Sequence, residues 1–116
     1  MKKTDRPIRY QMRSKRKTNN LKLNRYALLQ NYPNPFNSTT IITFTVGTDN
    51  YTSLRIYDIL GREIITLINE MKKAGLYSMK WNGRNSVGQA VGSGVYFYQL
   101  KGSSGFIKTQ RMILLN

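Results

Sequence analysis

Thr40-Ile41-Ile42-Thr43-Phe44-Thr45-Val46 decides the fold class. The run is built almost wholly from β-branched and aromatic residues, and at a period of two Ile42, Phe44 and Val46 share one face. That is a strand with one face toward a core. Gly47 to Asn50 supplies a turn, and Tyr51 to Asp58 then alternates again, Leu54 and Ile56 against Arg55 and Tyr57. Gly61 can take up the left-handed backbone that folds this strand back into Arg62-Glu63-Ile64-Ile65-Thr66-Leu67, so a hairpin is expected.

The same reading extends in both directions. Asn69 to Gly75 is polar and too short for a helix, so it is expected to be a connection. Tyr77, Met79 and Trp81 then share a face, with Ser78 and Lys80 opposite, and Asn82-Gly83 marks a turn. The loop from Arg84 to Gly94 releases the chain into Val95-Tyr96-Phe97-Tyr98-Gln99-Leu100, whose two faces are both apolar enough to be covered. Gly102 to Gly105 turns into a last strand, Phe106 to Leu115. Upstream, Tyr26 to Leu29 is short and apolar. Pro33 and Pro35 push Tyr32 and Asn34 toward extended geometry, so Asn31 to Asn37 should run as an irregular staple along a sheet. About seven short strands with regular turn signals and no long helix predict an all-β, immunoglobulin-like antiparallel sandwich. A small barrel is the alternative. Trp81, Tyr77, Phe44 and Phe97 are the expected bulky core.

A chain of 116 residues has room for one such domain. Its net charge of +14 is uneven: residues 1–25 hold ten Lys and Arg against Asp5 alone, a net +9, and residues 26–116 hold a net +5. Residues 1–25 show no strand or helix period and read as a basic flexible arm or linker ahead of a domain at 26–116. Nucleic-acid binding by that arm is disfavoured, because Tyr10 is its sole aromatic and base stacking has no support. The chain has neither Cys nor His, which removes thiolate and imidazole chemistry. Asp49, Asp58, Glu63 and Glu70 are scattered over turns, strand ends and a polar connection; Asp58 and Glu63 could approach each other, but hairpin ends carry such residues routinely. No enzymatic activity, metal site or cofactor is expected. No apolar run is long enough to cross a bilayer. The positive start Met1-Lys2-Lys3 is not followed by the apolar segment of a signal peptide, so the chain as written is not expected to enter the general secretory route by itself. It is either a fragment of a longer protein whose cargo lies upstream, the favoured reading, or a stand-alone chain.

Several ordered blocks carry a family resemblance: Asn31-Tyr32-Pro33-Asn34-Pro35-Phe36-Asn37, Leu54-Arg55-Ile56-Tyr57-Asp58-Ile59-Leu60-Gly61-Arg62-Glu63, Ala74-Gly75-Leu76-Tyr77, Trp81-Asn82-Gly83-Arg84, Gly94-Val95-Tyr96-Phe97-Tyr98 and Lys108 to Leu115. In this order they resemble the type A C-terminal sorting domain of the type IX (Por) secretion system. They are also similar to the Ig-like domain of the flagellar hook-capping protein. The family's further proline after Phe-Asn is absent, since Ser38 follows Asn37. The resemblance implies a noncatalytic export address carried by periplasmic cargo. It would be read by an outer-membrane translocon and removed by a sortase-like peptidase, and the cargo would end up secreted or at the cell surface. It also implies that recognition residues lie among Asn34, Pro35, Phe36, Gly94, Val95, Tyr96, Lys108 and Arg111. Gly61, Gly75 and Gly83 would shape turns, while Tyr77 and Trp81 would fill the core. The competing reading is a structural or adhesive Ig-like module that assembles with itself or with a scaffold.

Overall fold

The computed structural model describes residues 25–116. The basic arm expected over 1–25 therefore lies, but for Arg25, outside the described residues. Seven strands form: β1 (Ala27–Leu28), β2 (Thr40–Val46), β3 (Asn50–Tyr57), β4 (Glu63–Lys72), β5 (Gly75–Trp81), β6 (Gly94–Gly102) and β7 (Ile107–Leu114). They make a three-stranded sheet in the order β1-β2-β5 and a four-stranded sheet in the order β4-β3-β6-β7, with every strand pair antiparallel. The all-β sandwich is thus the observed architecture.

The β-branched run of β2 pairs along its whole length with β5, from Thr40 opposite Trp81 to Val46 opposite Gly75. The β3–β4 hairpin forms as the sequence predicts, with register shifts beside Arg55 and Tyr57. Its turn closes on Asp58, whose carboxylate accepts the Leu60 and Arg62 N–H groups at 2.9 Å. Gly61 meets the left-handed requirement there with φ 83°.

Two expectations need correction. Asn69 to Lys72 is not a connection but the second half of β4, paired with β3 as far as Asn50 opposite Lys72. Its polarity reflects the edge position of β4, where Asn69, Glu70 and Met71 face solvent and need no apolar partner. Phe97 does not enter the core. Tyr96, Tyr98 and Leu100 occupy the inner face of β6, and alternation places Phe97 half-buried on the outer face.

The core between the sheets is formed by Ile42, Phe44 and Val46 from one side and by Leu54, Ile56, Tyr98, Leu100, Met112 and Leu114 from the other. An aromatic chain closes one end: Phe36 lies 5.8 Å from Trp81, and Trp81 meets Tyr96 edge-on at 5.7 Å. At the other end Tyr77 is partly buried against this core, stacks on Phe44 at 5.6 Å, and carries the Lys72 ammonium 4.7 Å above its ring.

Candidate recognition surface

The segment between β1 and β2 crosses from one sheet to the other and is fixed by polar contacts, since it contributes no strand of its own. Asn31 is buried at its centre. Its amide Nδ2 donates to Pro33 O at 3.1 Å and to Thr40 Oγ1 at 2.9 Å, and its Oδ1 accepts from Gln30 Nε2 at 2.6 Å. The Tyr98 hydroxyl reaches the same place from the opposing sheet. It accepts the Asn31 N–H at 2.8 Å and donates to Leu29 O at 2.7 Å. Burial holds the Tyr98 pKa up at about 12, an effect only partly offset by the Asn31 N–H.

Beyond Asn31 the segment lies along the outer edge of β7. Asn34 Oδ1 accepts the Ile113 N–H at 2.9 Å, Phe36 N donates to Ile113 O at 3.0 Å, and Leu115 N donates to Phe36 O at 2.8 Å. Gln30 Nε2 adds a bond to Arg111 O at 2.8 Å. The C-terminal half of an otherwise open sheet edge is thereby paired, which is how soluble β proteins blunt such edges. Pro33 and Pro35 suit this role because neither has an N–H to leave unpaired.

Six of the eight expected recognition residues come together here. Asn34, Pro35 and Phe36 flank Ile113 to Leu115, and β6 brings Gly94 opposite Leu114, Val95 opposite Ile113 and Tyr96 opposite Met112. Their accessibility differs. Asn34 and Pro35 are exposed and Val95 is half-buried, but only 2% of Phe36 and 7% of Tyr96 are exposed, so their rings hold the core together and are not free for a partner. The Tyr96 hydroxyl donates to Gly92 O at 2.6 Å, and burial followed by the nearby Asp58 charge raises its pKa.

Lys108 and Arg111 lie farther along β7 and, three positions apart, on opposite faces of it. Arg111 stands on the outer face opposite Phe97, while Lys108 is exposed on the other face at the far end. Among the structural residues, Gly83 (φ 73°) is buried where the β5–β6 loop meets the staple: a Cβ there would stand 3.4 Å from Ser38 O and 3.7 Å from a Leu114 methyl. Trp81 Nε1 donates to Arg84 O at 2.9 Å, which ties that loop to the core aromatic.

The outer face of the four-stranded sheet is positively charged. Arg55, Lys101 and Arg111 project from β3, β6 and β7 around Gln99 and Thr109, which hydrogen-bond at 3.1 Å. The four acidic residues of the described chain are engaged elsewhere or with Arg55 only. Asp49 accepts the Ala74 N–H, Asp58 pairs with Arg62 at 2.7 Å, Glu63 lies 3.6 Å from Arg55, and Glu70 lies 2.9 Å from Lys72. Lys101 borders a shallow pocket of about 190 Å³ lined also by Tyr51, Ser53, Asn69, Gly102 and Ser103. Among the described residues no three His, Cys, Asp or Glu side chains converge.

Sequence reasoning missed Tyr98, Gln30 and Lys101. Tyr98 reads simply as a core aromatic, and its hydroxyl partners are 67 and 69 positions away. Only the crossover of the staple, invisible without pairing, makes it a polar hub.

No curated protein matches the chain. Among solved structures it is similar to dimeric latent PorU from Porphyromonas gingivalis, with a TM-score of 0.62, 21% identity, and coverage of 76% of this chain and 9% of that one. It is also similar to PorZ of the same organism, described as an essential bacterial surface component of the type-IX secretion system. That match has a TM-score of 0.56 and 25% identity, and covers 78% of this chain and 12% of PorZ. The chain therefore spans about a tenth of these proteins. The family model of the secretion system C-terminal sorting domain matches residues 30–115, from the staple through β7. This chain belongs to the secretion system C-terminal sorting domain family.

Proposed function

We propose that this sandwich is a noncatalytic address of type IX secretion that takes cargo attached at its N-terminal side across the outer membrane. The observation that carries this reading is the family match over residues 30–115. The likeness to a stretch of PorZ, a surface component of that system, supports it. The outer-membrane translocon reads the folded surface: the rim of Asn34, Pro35, Gly94 and Val95, and the cations Lys108 and Arg111. Phe36 and Tyr96 shape that rim from beneath, since both are buried.

A sortase-like peptidase then separates cargo from address. Proteolysis needs extended, accessible backbone. Tyr26 stacks on Phe106 at 4.5 Å and Ala27–Leu28 are paired with β2, so the cut falls upstream of Tyr26. The cargo is delivered to the cell surface or released from it.

The test is a periplasm-targeted fluorescent reporter fused to the N-terminus of the full chain in a type IX-competent cell. Surface delivery that is lost when Lys108 to Asn116 are deleted supports the reading. A reporter that stays in the periplasm with the intact chain refutes it.

A further inference from the structure

On the outer face of the four-stranded sheet Arg55 meets Glu63 at 3.6 Å, but Lys101 and Arg111 have no acidic partner among the described residues. Both cations are exposed, and each Asp and Glu side chain among the described residues has another partner. Arg111 stands opposite Phe97 and Lys101 opposite Ile107, which separates the two cations by four positions. On a strand that is roughly 13 Å. Two acidic side chains on one protein surface match that backbone spacing. Between the two cations lies uncharged surface, Gln99 bonded to Thr109, and the half-buried ring of Phe97 adjoins it beside Arg111. An apolar and amide centre flanked by charge is the make-up of a protein-docking patch.

The pocket beside Lys101 adds shape to charge. Its volume of about 190 Å³ takes one side chain, and Lys101 and Ser53 line it together with Ser103, whose hydroxyl is already donated to Asn50 Oδ1. The Lys101 ammonium and the Ser53 hydroxyl are left to donate, and they suit a carboxylate, which accepts several hydrogen bonds at once. The Tyr51 ring forms an apolar side for the methylenes of a Glu or Asp. By contrast, the outer face of the three-stranded sheet shows Thr43 bonded to Ser78 and a single Lys80.

We propose that this domain docks an acidic protein partner through the outer face of its four-stranded sheet, with one carboxylate side chain seated in the Lys101 pocket and a second paired with Arg111. This rests on the sorting reading: the partner is the component of the export machinery that first binds the folded address. Electrostatic complementarity of this kind speeds encounter and fixes orientation, so its loss acts on capture and not on folding.

The experiment uses the full chain fused to the periplasm-targeted reporter, comparing wild type, Lys101→Glu with Arg111→Glu, and Lys73→Glu with Lys80→Glu. The last pair makes the same change in net charge away from the face. The expected result is at least a tenfold fall in surface reporter for the first pair and a change within twofold for the second. Thermal unfolding of the purified chains checks that all three are folded. Should the first pair unfold early, Lys101→Gln with Arg111→Gln replaces it and is expected to lower delivery at least threefold. Undiminished delivery by the face variants overturns the proposal, and so does an equal loss in both pairs, since net charge would then be the cause. A wild-type reporter held in the periplasm overturns the sorting reading itself and this docking with it; delivered wild type with indifferent face variants overturns the docking alone.

Discussion

Tyr98→Phe removes one oxygen atom from the interior and should detach the staple. The ring keeps its place between the sheets, so no cavity forms and the cost is almost wholly polar. The hydroxyl holds two backbone groups of the staple, the Asn31 N–H at 2.8 Å and Leu29 O at 2.7 Å. The Asn31 N–H is buried, and leaving it unpaired costs about 1–3 kcal/mol, while the Leu29 bond, nearer solvent, is worth about 1 kcal/mol. The expected loss is therefore about 2–4 kcal/mol, a large share of the roughly 5–15 kcal/mol typical of a domain. pH supplies an independent check. Unfolded tyrosine ionises near 10.0, whereas Tyr98 holds its proton to about 12 because burial disfavours the phenolate. Its contribution is complete below pH 10 and is lost as pH rises from 10 to 12, by about 3 kcal/mol for a shift of this size. Urea unfolding of the full chain, followed by Trp81 fluorescence at pH 7 and from pH 9.5 to 11.5, measures both effects. The reasoning fails if Tyr98→Phe costs under about 0.5 kcal/mol at pH 7, the lower limit for a single net hydrogen bond. It fails equally if the variant loses stability above pH 10 as steeply as wild type.

Three further outcomes are expected. Gly83→Ala must adopt φ 73° and bring its Cβ to 3.4 Å from Ser38 O, so it should cost about 1–2 kcal/mol by the left-handed penalty alone, read by thermal unfolding; an unchanged midpoint contradicts the packing described. Asp58 has a pKa lowered from 3.8, chiefly by the backbone N–H of Arg62, so its contribution is present above that value and disappears as pH falls through the lowered one. Asp58→Asn should flatten the acid limb of the stability curve, and a limb identical to wild type argues against a role for the hairpin carboxylate. Tyr26 has a buried hydroxyl with no hydrogen-bond partner among the described residues while its ring stacks on Phe106, so Tyr26→Phe should raise stability by up to about 1 kcal/mol; a clear loss in urea titration would mean that the hydroxyl is satisfied.

The strands were legible because alternation is a local signal. Thr40–Val46 and Gly75–Trp81 show inner and outer residues at period two, and burial follows that pattern almost residue by residue. Asn69 to Lys72 escaped because an edge strand beside solvent needs no apolar face, so its sequence resembles a loop. Phe97 was misplaced because both faces of β6 are apolar, and alternation alone does not say which face meets the other sheet. The staple could be anticipated from Pro33 and Pro35, but its partners could not. Asn34 with Ile113, and Leu29 with Tyr98, are joined across 79 and 69 positions and depend on which strand ends up beside which. Lys108 and Arg111 look like one basic pair in the sequence. Their odd spacing puts them on opposite faces of β7, so a partner that reads both must reach around the edge of the sheet.

The central claim is that this folded sandwich is an export address, and reporter topology in two strains tests it most directly. Protease accessibility of a periplasm-targeted reporter carrying the full chain is compared between type IX-competent cells and the same cells without the translocon. The account predicts that the reporter is protease-accessible at the surface only when the translocon is present and accumulates in the periplasm without it. A reporter with the same periplasmic distribution in both strains, while the purified chain unfolds cooperatively as a folded domain, would contradict it.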